Sequence, residues 1–194
     1  MSIVEKFYTG LQGALPQQSL DELALGVGAT PDQLSELQAA YPQCPPALQQ
    51  LLGKINGTHW QAYEKGEIAV LMLGSDMVEY PYYLRSVAQI LQERREHAQS
   101  IADAYGDDFL ESPEMADKRV DPEVPMAERL CFSHCMNNGE TSKLYLDFNP
   151  RANGTVGQVV RFLQNPDEYV VIADSFESYL QMLIEDKYNF VIEE

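Results

Sequence analysis

Basic residues are scarce in this chain: thirteen Lys and Arg stand against thirty Asp and Glu in 194 residues, a formal net charge of −17. Such a surface repels phosphate backbones and anionic lipid, which disfavours a nucleic-acid or membrane-surface partner and favours a basic protein. Cysteine is equally sparse. Cys44, Cys131 and Cys135 are too few, and odd in number, for a disulfide framework, and they suit a reducing compartment such as the cytoplasm. Long apolar runs are missing as well. Ile68 to Leu73 is one of the longest, far below the ~20 residues that cross a bilayer. The opening residues Met1 to Tyr8 carry no basic region followed by an apolar core, so no signal peptide is expected. No low-complexity linker and no internal repeat divides the chain, and the expectation is one domain over residues 1–194.

The motifs of several chemistries are also absent. There is no Gly-x-Ser-x-Gly elbow for a nucleophile and no Gly-x-x-x-x-Gly-Lys phosphate loop. Paired carboxylates such as Asp107-Asp108 are too abundant to mark a catalytic pair. The stretch Cys131-Phe-Ser-His134-Cys135 holds metal-ligand residue types, yet a zinc site wants four ligands in tetrahedral array. On a strand, His134 would face away from Cys131 and Cys135, and nothing marks His59 or His97 as the missing ligands. Packing cysteines are the expectation, with no metal, no cofactor and no catalysis.

What is present is regular patterning. Ile3, Val4, Phe7 and Leu11 sit at helical spacing, and a short helical piece begins near Ser19. Thr30-Pro31-Asp32-Gln33 is a helix start, with Thr30 as cap and Gln33 closing the box. A further helix enters at Pro45-Pro46, and Gly57 is placed to end it in a left-handed conformation. Glu67 to Leu73 reads as a strand apolar on both faces, hence central. Pro81 to Tyr105 reads as one long helix. The acidic segment 107–125, with Pro113, Pro122 and Pro125 and no period, reads as a mobile loop.

The last third is the most informative. Leu144, Leu146 and Phe148 share one face of a strand, with Tyr145 and Asp147 on the other. Two further strands surround Val159-Val160 and Val170-Val171-Ile172. Asp174, with Glu177 three residues on, is placed to cap a helix whose buried stripe is Phe176, Tyr179, Leu180, Leu183 and Ile184. Together with the helices upstream, this predicts an α+β fold: a mostly antiparallel sheet with N-terminal, middle and C-terminal helices packed on it.

This arrangement resembles the SUKH superfamily, which includes the yeast cell-wall assembly regulator and many bacterial immunity proteins. The resemblance is carried by Leu144-Tyr145-Leu146-Asp147 with Asn149-Pro150, by Ala173-Asp174-Ser175-Phe176-Glu177, and by the proline-entered helix that leads to Asn56-Gly57. The chain departs from the pattern at Thr58, where the family often has a second glycine. The resemblance implies the same fold class and a function in binding rather than chemistry. Bacterial members look like immunity proteins that neutralise toxins, often nucleases, by direct contact. Eukaryotic members resemble regulatory scaffolds that recognise a peptide or a cellular enzyme, and an enzyme with an unrecognised carboxylate site is a third reading.

Candidate contact residues follow. Asn56, Gly57 and Trp60 cluster in one turn, and Trp60 is either a core anchor or an interface residue. Tyr145 joins them from the motif strand, and Asp147 and Asn149 at the end of that strand either sit beside that turn or simply form a tight turn. Asp107 and Asp108 open the acidic segment, where residues 107–128 hold eight acids against Lys118 and Arg119. Such a surface serves solubility, steering of a basic partner such as a cognate toxin, or both.

Overall fold

In the computed structural model, residues 1–106, 115–137, 140–164 and 166–191 are described. Six strands, β3 (Leu71–Leu73), β4 (Tyr82–Leu84), β5 (Leu130–Asn137), β6 (Glu140–Asp147), β7 (Gln158–Leu163) and β8 (Glu168–Ala173), pair antiparallel in chain order. A separate hairpin joins β1 (Gln61–Tyr63) to β2 (Gly66–Ile68). With the helices arranged around the sheets, the fold is α+β.

The two faces of the sheet bury different things. The alternation of β6 sends Leu144 and Leu146 into the main core. There they join Phe7 and Leu11 of α1 (Ile3–Ala14), Leu48 and Leu51 of α4 (Pro46–Leu52), and Phe176, Tyr179 and Leu180 of α7 (Phe176–Glu185). Tyr145 points to the opposite face with Cys131, Val160, Tyr169 and Val171, under Ile101 of α6 (Ile101–Tyr105) and Val120. The described part of the acidic segment is therefore fastened there. Tyr169 N–H donates to the Met115 carbonyl at 2.7 Å, and Asp117 N–H donates back to the Tyr169 carbonyl at 2.8 Å. Residues 107–114, the rest of the expected loop, lie outside the described residues.

Several local expectations change. Pro81 to Tyr105 is not one helix but β4, α5 (Val87–Glu96) and α6. Ser86 and Ser100 each close a capping box, with Gln89 and Asp103, and each box starts a new helix. Glu67 to Leu73 is split between two sheets, and β3 is the sheet edge rather than its centre. The Ala69 N–H turns to the Glu22 carboxylate at 3.1 Å and the Val70 N–H to the Thr58 carbonyl at 3.2 Å, which breaks the run. Helix α7 is capped by Ser175, not Asp174: Ser175 Oγ accepts from the Ser178 N–H at 3.1 Å, while Asp174 approaches Arg119 at 3.7 Å. Helix α4 ends at Leu52, before Gly57.

Strand β5 carries a register shift between Cys131 and Ser133. A bulge of this kind reverses which residues face which side. Cys131 consequently packs beside Tyr145 and Cys135 in the main core, on opposite faces rather than on one. All three cysteines are buried and free.

Candidate functional site

The turn after α4 is built by its own polar groups. Asn56 Nδ2 donates to Gln33 Oε1 at 3.3 Å, the same oxygen that accepts the Thr30 N–H at the start of α3 (Pro31–Ala40). Asn56 Oδ1 accepts the Val87 N–H at 3.0 Å, satisfying an open donor at the start of α5. Asn56 thus ties two helix N-termini together. Gly57 has φ of 92°, and a Cβ there would stand 2.5 Å from the Ser86 backbone nitrogen, so only glycine fits. Thr58 is buried; its N–H donates to the Leu84 carbonyl at 2.7 Å and its Oγ1 accepts the Leu84 N–H at 3.0 Å.

Trp60 leaves this frame outward. It is 58% exposed and adopts φ of 49°, a left-handed conformation that non-glycine residues avoid. The core-anchor reading of Trp60 is therefore overturned. Residues held in such conformations persist only where the surroundings fix them, and they collect at binding sites. Here Tyr63 Oη donates to the Gly57 carbonyl at 2.7 Å and Gln89 Nε2 donates to the His59 carbonyl at 2.8 Å, pinning the backbone that leads into Trp60.

The other expected residues lie elsewhere. Asp147 is 0% exposed, with Arg129 Nε at 3.3 Å, Gln158 Nε2 donating at 3.0 Å and the Asn149 N–H donating at 3.2 Å. Its surroundings make it a structural centre. Asn149 Nδ2 donates to Glu128 at 3.0 Å and lines a cavity of about 240 Å³ with Tyr41, Arg94 and Phe148. Arg94 is near the end of α5, whereas Asn56 binds the start of that helix, so Asn149 does not join the Asn56 turn. Tyr145 is buried under α6, its hydroxyl pushed well up by burial, and lines a cavity of about 330 Å³ with Lys143, Phe162 and Tyr169. Asp107 and Asp108 lie outside the described residues.

Between Trp60 and Tyr145 lies a charged cluster that the sequence reading passed over. Arg85 Nη1 meets Glu93 Oε2 at 2.7 Å, Lys143 Nζ meets Glu93 Oε1 at 2.6 Å, and His97 approaches the same oxygen at 3.3 Å. Burial alone would raise the Glu93 carboxyl; Arg85 and Lys143 outweigh it and hold it below the usual range. Beside them His134 Nδ1 lies 3.2 Å from His59 Nε2, the rings 4.7 Å apart. Burial, then the Arg85 charge, lowers both imidazoles, His134 to about 4. One local signal marked Glu93: it falls three residues after Ile90, on the buried stripe of α5. The His59–His134 contact spans 75 positions, with no local trace.

Burial raises the Cys44 thiol to about 12 and the Cys135 thiol to about 11, which leaves neither a nucleophile at neutral pH. Among the described residues, no group of three or more His, Cys, Asp or Glu could hold a metal ion. No helix among them is long and apolar enough to cross a membrane. An exposed tryptophan on a rigid turn, in an acidic protein, is suited to contact with another macromolecule.

A comparison with curated proteins finds no match. A family model does match, over residues 28–182, a span running from the turn before α3 through the whole six-stranded sheet and into α7. By that match the chain belongs to the SMI1 / KNR4 family (SUKH-1).

Proposed function

We propose that this protein is a non-enzymatic binding domain that neutralises a basic toxin, of the nuclease kind, by direct contact in the cytoplasm. Family membership supports a binding role, and the observation that selects a basic partner is the net charge of −17. A nuclease presents a cationic surface to its phosphate substrate, and an inhibitor of opposite charge is steered to that surface and covers it. The three buried, unpaired cysteines are consistent with a reducing compartment.

Trp60 is the contact residue this reading singles out. Its indole is exposed and its backbone already ordered, so little freedom is lost on binding. Trp60→Ala should weaken partner binding by about 2 kcal/mol, roughly 30-fold, while unfolding free energy changes by less than about 0.5 kcal/mol. Titration calorimetry against the partner, beside urea unfolding of the free variant, measures both. Unchanged affinity would remove Trp60 from the interface.

A further inference from the structure

His59, one member of the histidine pair, immediately precedes Trp60 in the chain. We propose that the His59–His134 contact is a proton-sensitive latch that holds Trp60 in its exposed, left-handed conformation, and that acidification releases it. The latch is a property of the free protein; its use in partner binding rests on the proposed role of Trp60.

The geometry supplies the mechanism. The contact joins Nδ1 of His134 to Nε2 of His59 at 3.2 Å, so one nitrogen must carry a proton and the other must accept it. Protonation of both rings removes the acceptor and sets two cations side by side. The groups facing the pair make even the first added proton unfavourable. The Tyr83 ring approaches from β4, 5.3 Å from the His59 ring, and Arg85 from the residue just after it; Lys143 approaches from β6; Glu93, with Gln89, Gln92 and Glu96, comes from α5. His97, the α5 C-cap, shares Glu93 with Arg85 and Lys143, which leaves that carboxylate already engaged by three cationic or protonatable groups. Relief comes by moving one imidazole toward solvent. His134 is fixed in β5 by pairing with Tyr83 and Lys143, whereas His59 lies in the turn before β1. His59 is therefore the ring that moves. Its peptide leads directly into Trp60, whose strained φ of 49° then rests on the two remaining anchors, Gln89 Nε2 on the His59 carbonyl and Tyr63 Oη on the Gly57 carbonyl.

The chain contains three histidines and one tryptophan, so each signal is assignable by substitution. The experiment is an NMR titration of the free full-length chain from pH 7.5 to 4. It follows the imidazole protons and the Trp60 indole N–H, with tryptophan fluorescence and far-UV circular dichroism on the same samples. The latch predicts that His59 and His134 titrate below the free imidazole value of about 6.5. The Trp60 signals should move with the same midpoint while the circular dichroism stays native. In His134→Gln that Trp60 transition should fall at least fivefold in amplitude. Three results would overturn the proposal: Trp60 signals that stay flat while both histidines titrate, Trp60 signals that move only with loss of circular dichroism, or a transition unchanged in His134→Gln. Loss of the latch with retained partner affinity, or the reverse, separates this proposal from the binding role of Trp60.

Discussion

Replacement of Asp147 by alanine separates a structural role from a contact role for the most family-like strand of this chain. Asp147 and Arg129 are both sealed from solvent, at 0% and 1% exposure, and Nε lies 3.3 Å from Oδ1. That approach is an ion pair without an aligned hydrogen bond, since Arg129 Nε makes none. The rest of the guanidinium donates to the Val124 carbonyl at 2.9 Å and the Asp121 carbonyl at 2.5 Å, which ties the segment after α6 to the sheet. Asp147→Ala leaves this cation buried without a counter-charge and removes the acceptor for Gln158 and the Asn149 N–H. Breaking a buried pair in this way costs about 3–5 kcal/mol. For a chain of this size each kcal/mol lowers Tm by roughly 2–4 °C, so the expected loss is on the order of 10 °C. Urea unfolding of Asp147→Ala, Arg129→Met and the double variant gives the cycle, with a coupling of at least about 2 kcal/mol expected. A loss below about 1 kcal/mol, or additive single effects, would show that Asp147 and Arg129 are not an energetically coupled buried pair. A stable Asp147→Ala with impaired partner binding would instead make Asp147 a contact residue.

Other substitutions test the neighbouring pieces. Gly57→Ala should cost about 2–4 kcal/mol in urea unfolding, because φ of 92° is strained for alanine and the new Cβ meets the Ser86 backbone. Glu93→Gln should cost about 2–4 kcal/mol, since Arg85 and Lys143 lose a shared counter-ion; thermal unfolding measures it. Stability should also fall with acid between pH 6.5 and about 4. In that window the unfolded His134 binds a proton and the folded one does not, so the unfolded state gains as pH drops. The full shift corresponds to about 3 kcal/mol, reduced by partial solvent exposure to roughly 1–3 kcal/mol. His134→Gln should flatten that slope in urea unfolding measured across the window, and an unchanged slope would assign it to other groups.

Much of this fold was legible where a local rule acts alone. The faces of β6 follow from alternation, which put Leu144 and Leu146 against Tyr145. Thr30 and Gln33 announced α3 because both halves of its capping box are four adjacent residues. The middle was misread because Leu84, Val87, Ile90 and Leu91 fit helical spacing whether or not the chain breaks between them. Ser86 with Gln89 and Ser100 with Asp103 were the visible evidence of those breaks. The split of Glu67 to Leu73 had no such sign, for it depends on Thr58 and on Glu22, distant in sequence. The bulge in β5 likewise set Cys131 and Cys135, expected on one face, on opposite faces. At the candidate site, Asn56 and Gly57 carried their turn chemistry in their residue types. The exposure of Trp60 and the meeting of His59 with His134 are products of tertiary packing, to which periodicity is blind.

On the proposed function, this chain silences a basic protein by covering it. The direct measurement is an inhibition titration: the protein captured by the immobilised chain at low ionic strength is purified, and its own activity is assayed against increasing free chain. The expected captured protein is basic, is released from the chain as salt rises, and loses its activity to background at one equivalent. Trp60→Ala should shift that titration to higher concentration. A salt-resistant partner, or one that stays active when saturated with the chain, would rule that role out.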